Sequence, residues 1–72
     1  MQIGVFKTNI RYKKNLKALR LAFEPHPEII KWSVDTEDVD KVLRVELTEQ
    51  VSEKEVIDLV LRLGLLCEVL EN

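Results

Sequence analysis

Apolar residues along this chain recur at two spacings, and the changes between them divide it into six elements. Residues 2–8, Gln-Ile-Gly-Val-Phe-Lys-Thr, mix apolar and β-branched types and predict a strand. From Tyr12 to Glu24 the apolar residues Leu16, Leu19, Ala22 and Phe23 recur at threes and fours, which makes one face of a helix. Pro25 and Pro27 end it, because proline disfavours helical geometry in the residue before it. Ile30, Trp32 and Val34 then alternate with Lys31, Ser33 and Asp35, a second strand. The acidic run Asp35-Thr-Glu-Asp-Val-Asp40 predicts a turn, and Leu43, Val45 and Leu47 alternate with Arg44 and Glu46 as a third strand. Ser52-Glu-Lys-Glu55 has the capping-box spacing that starts a helix. Val56, Leu59, Val60 and Leu63 form its stripe, and Gly64 suits the left-handed residue that closes it. Leu65, Cys67 and Val69 alternate with Leu66, Glu68 and Leu70 as the last strand.

The order is βαββαβ, two βαβ units of similar length joined by a turn. Right-handed crossovers set both helices on one side of the sheet. With strand order 4-1-3-2 this is an α+β, ferredoxin-like sandwich: a four-stranded antiparallel sheet with two helices on one face, a single domain over residues 1–72. The two periods assign the core to Phe6, Ile10, Leu16, Leu19, Phe23, Ile30, Trp32, Val34, Leu43, Val45, Val56, Leu59, Val60, Leu63, Leu65 and Cys67.

Composition narrows the function classes. At 72 residues a domain buries only ~60% of its unfolded surface, so the core is thin. With 46% hydrophobic residues the chain is too apolar for a disordered tail, and no apolar run is long enough to span a membrane. The first residues lack a charged region leading into an apolar stretch, so a cytoplasmic location is expected. One cysteine forms no internal disulfide, in keeping with a reducing compartment, and with a single His it makes no ordinary metal site or Cys-His nucleophile pair. Charge is lopsided. Residues 1–31 carry seven basic and two acidic residues, net +5, whereas residues 32–72 carry four basic and eleven acidic, net −7. That asymmetry bears on partners rather than on fold.

The stretch from Phe6 to Leu16, Phe-Lys-Thr-Asn-Ile-Arg-Tyr-Lys-Lys-Asn-Leu, falls at the end of the first strand and the start of the first helix. There, and in the order and spacing of its elements, the chain resembles the heavy-metal-associated domain, the small module of copper chaperones and metal-transporting ATPases. That family carries Met-x-Cys-x-x-Cys in this loop. Ile10 stands at the position of its Met, and Tyr12 and Asn15 stand at the positions of its two cysteines. Trp32-Ser-Val-Asp35 and the strand after it resemble the family's second and third strands. The resemblance spans nearly the whole chain, while the family's metal motif is missing. Two thiolates suit a soft metal ion; a phenol of ordinary pKa near ~10 and a neutral amide do not. Lys13 and Lys14 repel a cation as well. The resemblance therefore implies a degenerate form with neither metal nor cofactor.

The remaining residues read more plainly. Cys67 is expected as a small core residue and His26 as a solvated loop residue. Trp32 belongs to sheet packing, and the few aromatics do not form the open face that single-stranded nucleic acid needs. Glu37, Asp38 and Asp40 lack the Gly and terminal Glu of a calcium loop. No catalytic constellation is present, so no enzyme is expected. The basic run Arg11, Lys13, Lys14 and Lys17 opposes the dipole of the helix it begins and marks a docking surface for an acidic protein. On the open sheet face the same parity gathers Ile3, Val5, Val42, Leu66 and Leu70 into an apolar cluster suited to a weak homodimer. Nucleic acid and membrane are not expected partners. The reading is a small non-catalytic interaction module. Beside it stand a metal chaperone with unusual ligands, a small-ligand regulatory domain of the same topology, and an acylphosphatase-like enzyme echoed only by Arg11 and Asn15.

Overall fold

The computed structural model describes residues 1–70. It runs β1 (Gln2–Thr8), α1 (Lys13–Phe23), β2 (Ile29–Asp35), β3 (Val42–Leu47), α2 (Glu53–Arg62) and β4 (Cys67–Val69). The strands form one antiparallel sheet in the order β2-β3-β1-β4, the expected 4-1-3-2 read from the opposite edge. This is the ferredoxin-like α+β fold.

Strand β1 occupies the centre because both of its sides are paired. It meets β3 from Gln2↔Leu47 to Phe6↔Leu43, and β4 through Phe6↔Val69 and Thr8↔Cys67. Strand alternation turns Gly4, Phe6 and Thr8 to the buried side. There Phe6 joins Leu43, Val45 and Leu47 from β3, Leu19 and Phe23 from α1, and Val56 and Val60 from α2 in one cluster. Both helices therefore cover the same face. Trp32 packs edge-on against Phe23, with ring centroids 5.5 Å apart and an interplanar angle of 81°.

The core differs from the periodic reading in a few places. Ile30 is 54% exposed, because the register of β2 shifts between Ile29 and Lys31 and the bulge turns Ile29 inward in its place. Leu63 is exposed too, since α2 stops at Arg62 and Leu63 caps it in a non-helical conformation. Leu47 and Val51 are buried in addition to the expected set. Leu16, Trp32, Val34, Leu59 and Cys67 lie half-buried at the margin of the core.

Both helix starts fall where the residues place them, but the bonding of the second differs from expectation. Ser52 has the extended backbone of an N-cap, yet its side chain makes no capping bond, and its carbonyl accepts the Glu55 N–H at 3.1 Å. Glu53 and Glu55 in the first turn and Arg62 in the last complement the dipole of α2. Gly64 follows with φ +80°, the left-handed geometry its lack of a Cβ allows.

Candidate docking site

The loop from residue 9 to residue 12 is held at its base from both sides. The buried Thr8 hydroxyl donates to the Lys41 carbonyl and accepts the Ile10 N–H at 3.1 Å. The Thr8 N–H donates to the Asp40 carbonyl at 3.0 Å. Thr8 thus fastens the end of β1 to the β2–β3 turn. That turn is itself ordered by Asp35 Oδ1, which accepts the N–H groups of Glu37 and Asp38, and by Asp38 Oδ1, which accepts that of Asp40 at 2.8 Å. On the opposite side Asn9 Oδ1 accepts the Leu66 N–H at 2.9 Å. Ile10 anchors the loop from within, with no exposed surface.

Above this base the chain turns outward. Tyr12 is the N-cap of α1 and is 57% exposed. Asn15 Oδ1 accepts the N–H of Tyr12 at 3.0 Å and that of Arg11 at 3.3 Å. The amide of Asn15 is therefore the returning arm of a helix cap. Its signal lay in the sequence as an amide three residues beyond the cap, a spacing used there only for α2.

Arg11, Lys13, Lys14 and Lys17 are all exposed, and α1 has no acidic residue in its first turn. The ion pairs among the described residues join other groups: the N-terminus to Glu49, Lys7 to Asp40, and His26 to Glu28. Lys14 Nζ lies 5.6 Å from the centroid of the Tyr12 ring, at the distance of a cation–π contact. The positive ends of these side chains add to the positive end of the helix, so the first turns of α1 attract anions.

The open sheet face gathers its apolar residues less tightly than their parity implies. Val5 and Leu70 are neighbours, since the Leu70 N–H donates to the Val5 carbonyl at 2.9 Å. Directly across from Val5 stands Arg44, and Ile3 faces Glu46. Val42 pairs with Asp35 at the far end of β3. Leu66 precedes β4, is 66% exposed, and lines a cavity of about 310 Å³ with Lys7, Leu61, Cys67 and Glu68.

Cys67, distant from the loop in sequence, pairs with Thr8 at the loop's base. Partial burial and then the Glu68 carboxylate push its thiol up to about 11, so it is protonated near neutral pH. Among the described residues, no group of three or more His, Cys, Asp and Glu side chains is placed to hold a metal ion. The phenol of Tyr12 and the committed amide of Asn15 do not fit a soft cation either. No helix among the described residues is long and apolar enough to cross a membrane.

Sheet order and helix placement define a ferredoxin-like α+β domain. The yeast copper transporter domain Ccc2A, solved in solution in apo and Cu(I)-loaded states, has the same fold: the TM-score is 0.83 over 99% of this chain and 97% of that one. The two sequences are 11% identical, so the likeness is one of fold. No protein-family model and no curated protein sequence matches the chain.

Proposed function

We propose that this chain is a non-catalytic docking module that engages an acidic protein surface through the loop after β1 and the first turns of α1, and that it does not carry metal by the two-thiolate route. The observation behind this reading is the group of four exposed cations, Arg11, Lys13, Lys14 and Lys17, around a helix start with no acid in its first turn. Lys13 and Lys14, in the first turn, each oppose the helix dipole at roughly 0.3–1 kcal/mol when unscreened. A surface that tolerates this gains long-range attraction for an anionic partner. Tyr12 and Asn15 stand where the resembled family has its thiolates, and neither replaces one.

The experiment is an NMR titration of the protein with polyglutamate at low salt. Amide shifts should concentrate on residues 11–17, fade as salt rises to screen exposed charges over ~10 Å at 0.1 M, and largely vanish in K13E/K14E. Shifts insensitive to both salt and these reversals overturn the reading. The alternative of a metal chaperone with unusual ligands draws on the fold shared with Ccc2A. A stoichiometric copper complex that survives a competing chelator decides for it.

A further inference from the structure

A groove runs between α1 and the edge strand β2. Its upper part, a depression of about 300 Å³, is lined by Lys13, Leu16, Lys17, Arg20 and Trp32. From the shared Arg20 and Trp32 it continues down past Phe23 and Pro27 to the exposed Ile30. Lys13, Lys17 and Arg20 are spaced four and three apart, so they follow one another along one face of α1 and form its rim. Leu16 and Trp32, half-buried against the core, form an apolar floor. Among the described residues no carboxylate lines the upper part; Glu24 stands at the lower end. Beside the groove, β2 pairs among the described residues with β3 alone, and its outer side offers alternate backbone N–H and C=O groups to solvent.

We infer that this groove docks an extended acidic segment of a partner protein, which adds as a strand to β2, seats an apolar side chain on Leu16 and Trp32, and directs carboxylates to Lys13, Lys17 and Arg20. The geometry fits a peptide strand. Seven residues of helix rise about 10 Å, and same-side residues of an extended strand recur every ~6.6 Å, so two or three carboxylates match the three cations. A free strand edge pairs with a peptide backbone and has no equivalent use for a phosphate polymer. The acidic character of the partner rests on the docking reading above; Arg20, Leu16, Trp32 and the β2 edge are additional to it.

Trp32 is the single tryptophan of the chain, so its fluorescence reports this groove directly. The probe is the capped peptide ETLTETE, whose Leu and three Glu share one strand face, with ETATETE and polyglutamate as comparisons. We expect a saturable change in Trp32 emission with ETLTETE and none at equal concentration with the alanine peptide. Amide shifts should extend along β2. R20E should weaken binding by roughly tenfold, the upper range for reversing one surface charge, and R20Q by less. No saturable change, an equal response to ETATETE, or indifference to both Arg20 variants overturns the inference, as does equal Trp32 quenching by a DNA oligomer. Polyglutamate shifts at residues 11–17 without any Trp32 response to ETLTETE remove the groove and leave the docking loop standing. A Trp32 response abolished by R20E, with no polyglutamate shifts at residues 11–17, does the reverse.

Discussion

The ring of Phe6 lies against Gly4: a Cβ placed on Gly4 would stand 2.8 Å from both Cε2 and Cζ of the ring. Both residues face the helix layer from β1, and the bare Gly4 backbone is what lets the fully buried ring lie there. Substitution Gly4→Ala should therefore destabilise by about 1–3 kcal/mol through overpacking. In a domain of this size that lowers the melting temperature by several degrees, at ~4–8 °C per kcal/mol. Adding Phe6→Leu should recover part of the loss, so a double-mutant cycle measured by denaturant unfolding should show coupling between the two sites. Strict additivity would mean the ring does not press on position 4.

The element order, both helix starts and most of the core were readable because each element carries a strong period. Leu43, Val45 and Leu47 alternate cleanly, and β3 has no irregularity to defeat the pattern. Strand β2 is different. Its Ile29-Ile30 pair suits either parity, and only the bulge against β3 decides that Ile29 faces inward. The loop was harder. Side chains such as Asn15 and Thr8 are chemically able to serve many roles, and their partners, Arg11 N–H or the Lys41 carbonyl, are fixed by three-dimensional placement. Cys67 meets Thr8 through strand pairing across most of the chain, which no local spacing records.

Asn15 should matter to stability by its oxygen and to charge by its neutrality. Asn15→Ala removes the acceptor of the Tyr12 and Arg11 N–H groups and should cost about 1 kcal/mol, the ordinary net value of such bonding. Asn15→Asp keeps an acceptor and puts a negative charge in the first turn, where it offsets the helix dipole and the nearby lysines by ~0.3–1 kcal/mol. Denaturant midpoints should fall in the order Asp, Asn, Ala. The Asp variant should also bind polyglutamate more weakly than wild type, which separates the cap from the docking field.

Cys67 should be slow to alkylate near neutral pH, with a rate that climbs as pH rises toward about 11. The folded thiol holds its proton more tightly than the unfolded one, whose reference value is 9.0. Its contribution to stability is therefore full below about 9 and is lost as pH rises through about 11. The stability difference between wild type and Cys67→Ser should shrink across that window. Glu68→Gln should lower the thiol's pKa only slightly, because burial is the larger cause.

Installing two thiolates in the loop tests whether Tyr12 and Asn15 match the cysteine positions of the resembled family. The variant Tyr12→Cys/Asn15→Cys should acquire one copper(I) per chain that survives a competing chelator, seen by native mass spectrometry. The helix start and the surrounding lysines favour the thiolate form, although the loss of the Asn15 cap costs some stability. Wild type should bind copper(I) no more tightly than scattered surface groups allow. A variant that folds but stays metal-free would show that these positions do not match the family's cysteines.

The neighbouring Val5 and Leu70 on the open sheet face should support weak self-association. Their strands are joined by the Leu70–Val5 backbone bond, so the two side chains form one apolar spot, with Ile3 further along β1. Around them stand Arg44 opposite Val5, Glu46 opposite Ile3, and Lys7 opposite Glu68. These charges lose hydration if the face is covered, and an exposed pair returns only ~0–1 kcal/mol. The small apolar gain is thus nearly offset, and the balance points to dissociation constants near the millimolar range, about −4 kcal/mol. Sedimentation should find monomer at micromolar protein and a growing dimer fraction at millimolar protein. Val5→Lys should abolish the dimer without altering the fold, since Val5 faces away from the helices. Leu66→Lys should leave the dimer intact, because Leu66 lies outside β4 beside Leu61. A protein that remains monomeric at millimolar concentration would show that the interleaved charges keep this face solvated.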